Sequence, residues 1–342
     1  MKKSKFIALM LVAVLIVMSL AGCSKPAEGP APGGETPAAP AEKITWKLGH
    51  LGNDEHIWNK TALKFAELVA EKTNGQLEIK VYPNESLGKE VENIDMIKTG
   101  AADMVISGES MQTWAPKAAL MAVPYAFRDT AHMQSVIESE LGDEIAAQIE
   151  EKVGLIPLYY HLRAPRNLTS NRAINTPADL NGFKMRVPNV PLFVDAWKAA
   201  GAAPQAMAFN EVFTALQQGV IEGQENPVDL IYSAGFYEVQ KFVNVTEHVN
   251  GWIYVLVGVN QFNSLSDELK AAVLEAAAEA QVYGDSLFEE QTSEFVAMLE
   301  EKGMTFNTNV DKAAFQAAME PAVLEKLTDE QKDLYQRIVE FK

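Results

Sequence analysis

K-M-R-V-P (residues 184–188), M-A-F-N-E-V-F-T-A-L-Q-Q-G (207–219) and E-G-Q-E-N-P (222–227) decide how the rest of the chain is read. The first segment is an apolar strand that ends in a proline. Pro188 removes a backbone donor and restricts Val187 to extended conformations, so no helix continues there. Arg186 is therefore mounted at a strand tip, with its guanidinium aimed. A planar fork of donors fixed in this way matches a carboxylate in two parallel hydrogen bonds, although a structural ion pair is the ordinary use of a lone arginine. The second segment predicts a strand near 206–209 and a helix from Asn210, a good N-cap, to about Gln218, with Gly219 as its stop. In the third, Asn226 precedes a proline and is held extended, with an amide that can both donate and accept. Strand, helix and strand in this order belong to an α/β fold.

The same grammar runs outward on both sides. Residues 44–49 alternate as a strand; Ala62, Phe65, Ala66 and Val69 then recur at helical spacing until Asn74-Gly75. Residues 77–82 alternate again and end at Pro83-Asn84. A helix over 90–98, a strand over 103–106, a helix over 131–152 and a strand over 154–159 follow, which predicts a largely parallel sheet covered by helices. From 266 to 302 there is no proline, and Ala, Leu, Glu and Lys dominate. As one helix this stretch is about 55 Å long at about 1.5 Å per residue, longer than a single lobe, unless it breaks near Gly284. About 300 residues of patterned chain exceed one small core and suit two lobes.

The amino terminus has another character. Lys2, Lys3 and Lys5 precede an apolar run over 6–20, and small residues lead to Cys23, the single cysteine of the 342 residues. This is the pattern of a signal peptide over 1–22, and Leu20-Ala21-Gly22-Cys23 looks like a lipobox, with Cys23 the expected site of lipidation. Residues 23–43 are rich in Pro, Ala, Gly and Glu without apolar periodicity and are expected to be a disordered tether between a membrane and the folded part. One cysteine excludes an internal disulfide and thiolate metal clusters. Loss of the three leading lysines takes the formal charge from −17 to −20. So acidic a chain argues against nucleic acid as a partner, and it requires a local positive pocket for any anionic ligand.

The three opening segments resemble the DctP-type substrate-binding subunits of tripartite ATP-independent periplasmic (TRAP) transporters. That family carries K-x-R-V-P followed by F-x-E-V-[FY]-x-A-L-Q-x-G-x-x-[DE]-G-x-E-N-P, and every fixed position is matched here. L-G-K-E (87–90), T-S-N-R-A-I (169–174) and F-Y-E-V-Q-K-F (236–242) extend the likeness from about Trp46 to near the C-terminus. The resemblance implies a periplasmic-binding-protein-like α/β fold with a ligand cleft between two lobes and a long helix bridging them. It places lobe one at 44–163 plus 252–291 and lobe two at 164–251 plus 292–342.

It also implies roles. Arg186 becomes the main carboxylate clamp, and a second clamp falls on Arg166 or its rival Arg163. Here Ala164-Pro165 stands where the family commonly has glycine, so the loop geometry differs. Asn226 suits a carboxylate oxygen or a hydroxyl, Phe209 a ring packed on the ligand, and Glu109 and Glu90 acceptors for its hydroxyl or amine groups. Trp46, Trp58 and Trp114 are candidates for apolar walls. The implied partners are a small organic acid, captured by hinge closure, and the TRAP membrane subunits to which it is delivered. One bidentate arginine reads one carboxylate, which leaves sugar acids such as sialic acid, C4-dicarboxylates and keto acids open, with a preference for hydroxylated acids. The competing classes are a secreted carbohydrate-active enzyme using Glu211, Glu222 and Glu225, and a lipoprotein adhesin. No H-E-x-x-H, G-x-S-x-G or P-loop pattern occurs, and no cofactor or metal is expected.

Overall fold

The computed structural model describes residues 43–342. The expected signal peptide, Cys23 and all of the expected tether but Lys43 lie outside them. In chain order the elements are β1 (Ile44–Gly49), α1 (Ile57–Lys72), β2 (Leu77–Tyr82), α2 (Glu90–Lys98), β3 (Met104–Ser107), α3 (Thr130–Ile137), α4 (Glu140–Val153) and β4 (Leu155–Leu162). There follow β5 (Arg166–Ser170), β6 (Lys184–Val187), α5 (Pro191–Ala199), β7 (Ala203–Ala206), α6 (Val212–Gln217), β8 (Gly223–Asn226), α7 (Val228–Ser233) and β9 (Phe242–Val249). The chain closes with β10 (Trp252–Gly258), α8 (Val259–Asn263), α9 (Asp267–Glu301), β11 (Thr305–Asn307), α10 (Lys312–Lys326) and α11 (Asp329–Glu340).

Two sheets form, one per lobe, in the orders β2-β1-β3-β10-β4 and β11-β9-β5-β8-β6-β7. They are mixed, where a largely parallel sheet was expected. In the first, β1 pairs in parallel with β2 and β3, but β10 runs antiparallel to β3 and β4. In the second, β6 is parallel to β7 and β8, while β5 is antiparallel to β8 and β9. The reason is connectivity. β5 follows β4 after three residues and β10 follows β9 after two, each arriving directly from the other sheet with no helix to reverse its sense.

The region 266–302 is one unbroken helix of 35 residues, α9, with the Ser266 side chain accepting from Leu269 N at its start. Gly284 does not break it. A Cβ there would stand 3.2 Å from Thr61 of α1 and 3.4 Å from His161 of β4, so the glycine lets α9 lie close on the first lobe. Val273, Ala276, Ala277 and Ala280 join the first lobe's core, and Phe295 and Leu299 pack with Val212, Ile231 and Val243 of the second. Three local expectations are corrected. The helix expected over 131–152 is two, α3 and α4, because Ser139 caps α4 by accepting from Leu141 N. The strand expected at 206–209 ends at Ala206, and Phe209 opens a single 3-10 turn before α6; Asn210 makes no side-chain cap. Finally, α11, expected with the second lobe, docks on the first: Gln331 Nε2 donates to Pro116 O at 2.6 Å, and Arg337 pairs with Glu144 of α4 at 2.8 Å. Its apolar residues Leu334 and Ile338 are buried, and Tyr335 Oη also donates to Glu320 of α10 at 3.1 Å.

Candidate functional site

A cavity of about 230 Å³ lies between the lobes, and Arg186, Arg166, Arg163, Asn226, Phe209, Glu109 and Glu90 all line it. The first lobe contributes Glu90 from the first turn of α2, Glu109 from the turn after β3, and Arg163 from the crossing after β4. The second contributes Arg166 on β5, Arg186 on β6 and Asn226 on β8. Of the three tryptophans proposed as walls only Trp58 lines the cavity; Trp46 is in the first lobe's core, and Trp114 lies under Lys98 at 4.1 Å.

The three arginines differ in what they already hold. Arg166 is clamped to Glu225: its Nη2 donates to Oε1 at 2.6 Å and to the carbonyl at 2.8 Å, and its Nε donates to Oε2. His248 Nε2 lies 2.9 Å from the same Oε2, and His248 Nδ1 lies 2.9 Å from Thr246 Oγ1, which accepts from Leu168 N. A neutral ring protonated on Nε2 satisfies every partner in this chain. Burial pushes the Glu225 carboxyl up, but Arg166 and His248 outweigh it and hold it at about 2. The strands carrying this cluster approach closely, since a Cβ at Gly223 would come within 2.3 Å of Thr169 O.

Arg163 faces Glu109, with Nη1 at 3.1 and 3.4 Å from the two carboxylate oxygens, and stacks over Trp58 at 5.6 Å. Burial pulls its pKa down against the opposing pull of Glu109. Arg186 stands apart. Its Nε donates to Met207 O at 3.0 Å and its guanidinium sits 5.8 Å from the Phe209 ring centre. Among the described residues, no carboxylate lies within ion-pair distance of it. Burial lowers its pKa to about 10, so it remains charged at neutral pH, with its two terminal nitrogens available to the cavity.

The facing wall is acidic. Glu90 accepts from Ser107 Oγ at 2.6 Å, and burial followed by the neighbouring Glu109 raises its carboxyl to about 7. Glu85 is also raised by burial, although it accepts from Asn210 N across the cleft at 3.2 Å. Asn226 Nδ2 donates to Gln224 Oε1 at 2.6 Å, and Gln224 Nε2 to Thr169 Oγ1 at 3.1 Å. This chain leaves Asn226 one amide hydrogen and its carbonyl oxygen for a ligand. Further contacts bind the lobes to one another: Asn53 Nδ2 donates to Ser233 O at 2.7 Å, and Lys89 pairs with Glu211. Glu85, Ser107 and Met207 were missed by sequence reasoning, as was the clamp of Glu225 and His248 on Arg166. Nothing in local spacing announces a pairing across 59 residues.

The family model described as DctP, bacterial extracellular solute-binding protein, family 7, matches residues 48–329. A solute-binding protein of Roseobacter denitrificans is 53% identical over 293 residues, spanning 86% of this chain and 90% of that protein. The 2,3-diketo-L-gulonate-binding periplasmic protein of Escherichia coli is 36% identical over 78% of this chain and 81% of its own length. A crystal structure of a TRAP periplasmic solute-binding protein from Roseobacter denitrificans with bound L-galactonate superposes with a TM-score of 0.85 at 51% identity, covering 87% of this chain and 99% of that one. These relatives are extracytoplasmic binding proteins and not enzymes, which removes the reading of Glu211, Glu222 and Glu225 as catalytic acids. The chain belongs to the DctP family of bacterial extracellular solute-binding proteins, the substrate-binding subunits of TRAP transporters.

Proposed function

We propose that this protein captures a polyhydroxylated monocarboxylic acid, an aldonate or uronate, and presents it to TRAP membrane subunits. The observation that carries the reading is the unequal commitment of the cavity arginines. Arg163 and Arg166 are matched by Glu109 and Glu225, so Arg186 is the cation left for one ligand carboxylate, with Asn226 beside it and Phe209 beneath. Opposite, Glu85 and Glu90 are acceptors that suit hydroxyls and repel a second carboxylate. L-Galactonate in the Roseobacter denitrificans relative and β-D-glucuronate in another TRAP protein, 33% identical with a TM-score of 0.84, are of this class. A C4-dicarboxylate fits less well because its second carboxylate would face Glu85 and Glu90, and a simple keto acid because its carbonyl has no hydrogen to donate to them. Thermal stabilisation by L-galactonate, D-galacturonate or D-glucuronate, with none by succinate, is the expected result; stabilisation by succinate alone would refute the reading.

We further propose that Cys23 carries a lipid anchor after removal of 1–22, that 23–43 is the tether, and that the lobes divide as given above, with 329–340 moved to the first. The apolar run ending at Leu20-Ala21-Gly22-Cys23 supports the anchor. Cys23→Ser is expected to leave the membrane fraction or to mature incorrectly; attachment with normal processing would contradict it.

A further inference from the structure

Behind the cavity, on the side facing α9, lies a second polar cluster that the capture reading does not use. His50, His56, His161 and Asp229 are all buried there, with Trp58 and Tyr159. The rings are in mutual contact: His56 is 4.6 Å from Trp58, Trp58 is 6.4 Å from His161, and Tyr159 is 5.5 Å from His161. Seven buried polar atoms here make no hydrogen bond within the protein: His50 Nδ1, His56 Nε2, Trp58 Nε1, the Tyr159 hydroxyl, His161 Nε2, Arg163 Nε and Asp229 Oδ1. Leftover buried donors and acceptors are costly to leave unpaired, so this is a polar cluster whose hydrogen-bonding capacity is not used up by the fold.

All but one of these groups come from the first lobe. Asp229, on α7, comes from the second, and its Oδ2 is 3.1 Å from His56 Nε2. His56 Nδ1 is occupied in accepting from Trp58 N, which leaves the proton on Nε2, the ring nitrogen nearer Asp229, at ion-pair distance but off the line of a hydrogen bond. Burial keeps His50 and His161 neutral, at about 4 and about 3. Burial pushes Asp229 up, but His56, with Arg163 behind it, outweighs this and leaves its carboxyl below the usual range. The first lobe thus offers a ready-made receptor for a carboxylate, and the second lobe supplies one.

We propose that Asp229 is an interlobe latch: docking of its carboxylate against His56 in this buried polar cluster stabilises the closed cleft, and so raises ligand affinity without touching the ligand. The cluster shares Trp58 and Arg163 with the lining of the ligand cavity, and in this scheme the latch and the ligand stabilise the same closed arrangement. Ligand affinity is scaled by the free energy of closing, and a group that favours only the closed state slows dissociation while leaving encounter with the open state unchanged. Asp229 is a positioning residue in this scheme.

The proposal rests on the reading that a sugar acid is bound, and the test separates the two. Full-length wild type, Asp229→Asn, His56→Gln and the double variant are titrated with L-galactonate, D-galacturonate and D-glucuronate, with association and dissociation rates and the radius of gyration measured at saturation. The expected result is a tenfold or greater loss of affinity for each single variant, carried by faster dissociation, with less compaction and an unchanged ligand-free unfolding midpoint. The double variant is expected to lose little more than either single one, as for two halves of one contact. Wild-type affinity and compaction in Asp229→Asn, or additive losses in the double variant, would overturn the latch. So would a loss explained wholly by a lower ligand-free midpoint. Wild type that binds none of the three acids would instead overturn the sugar-acid reading, and the latch with it. Should Asp229→Asn fail to fold, His56→Gln alone decides by the same rates.

Discussion

Arg166 and Arg186 lie on strands that flank β8 on either side and are almost equally buried, at 3% and 4% exposure, yet they stand in opposite electrostatic situations. Around Arg166 the charge is closed on itself, with Glu225 gripped by the guanidinium and by His248. Around Arg186 only a backbone carbonyl is engaged, and burial is felt as a pKa drawn down to about 10. The difference teaches that burial of an arginine does not identify its role. The decisive question is whether its counter-charge comes from the chain. Where it does, the arginine builds structure; where it does not, a ligand is expected to complete it.

Removing one partner of a buried pair is costly because the other charge is stranded. The largest expected effect is therefore at Glu225→Ala, which should cost about 3–5 kcal/mol of stability in urea unfolding. The same pair gives a pH dependence. The folded pKa of Glu225, about 2, lies below its unfolded value of 4.5, so its contribution is complete above pH 4.5 and is lost as the pH falls toward 2. Acid unfolding should begin at higher pH in Glu225→Gln.

Arg186→Ala should show the reverse profile. Its unfolding midpoint stays near wild type, since no carboxylate of the chain is stranded, while affinity falls by about 2–5 kcal/mol, roughly 30-fold or more. Arg186→Lys should bind nearly as poorly, because an ammonium keeps the charge and loses the fork. Calorimetry on both variants checks this; tight binding by the lysine variant would erase the contrast with Arg166.

A smaller effect is expected at Glu90. Its folded pKa, about 7, lies above the unfolded 4.5, so the folded state holds the proton more tightly and stability falls as the pH rises between those values. Glu90→Gln should remove that slope, by about 1 kcal/mol for a half-buried group, measured as unfolding midpoints at pH 5 and pH 8. The smallest is Asn226→Ala, expected to weaken binding by about 1 kcal/mol through one lost hydrogen bond.

What could be read in the sequence followed locality. The strand-end placement of Arg186 and Asn226 on the cavity wall was legible because Pro188 ends the strand of Arg186 one residue on and Pro227 holds Asn226 extended, and the helical character of α9 because the stretch is proline-free and rich in helix formers. The break between α3 and α4 was not, since one serine at 139 interrupts an otherwise continuous apolar pattern. The insertion of β10 between β3 and β4 depends on a crossing from the other lobe that no local pattern records. The same limit hid the site's electrostatics. Glu109 was expected to face the ligand, and it does line the cavity, but its bond to Arg163 spans 54 residues. Glu85 was not singled out at all, because its value comes from standing opposite Arg186 across the cleft.

The most direct test compares two ligands of one carbon skeleton by calorimetry: galactonate, with one carboxylate, and galactarate, with a carboxylate at each end. If Arg186 takes the single carboxylate and the wall of Glu85 and Glu90 takes hydroxyls, galactarate places like charges together at a cost of several kcal/mol, and should bind about 100-fold or more weakly at pH 8. Equal or tighter binding of galactarate would contradict the assignment of Arg186 as the one uncommitted cation of the cleft.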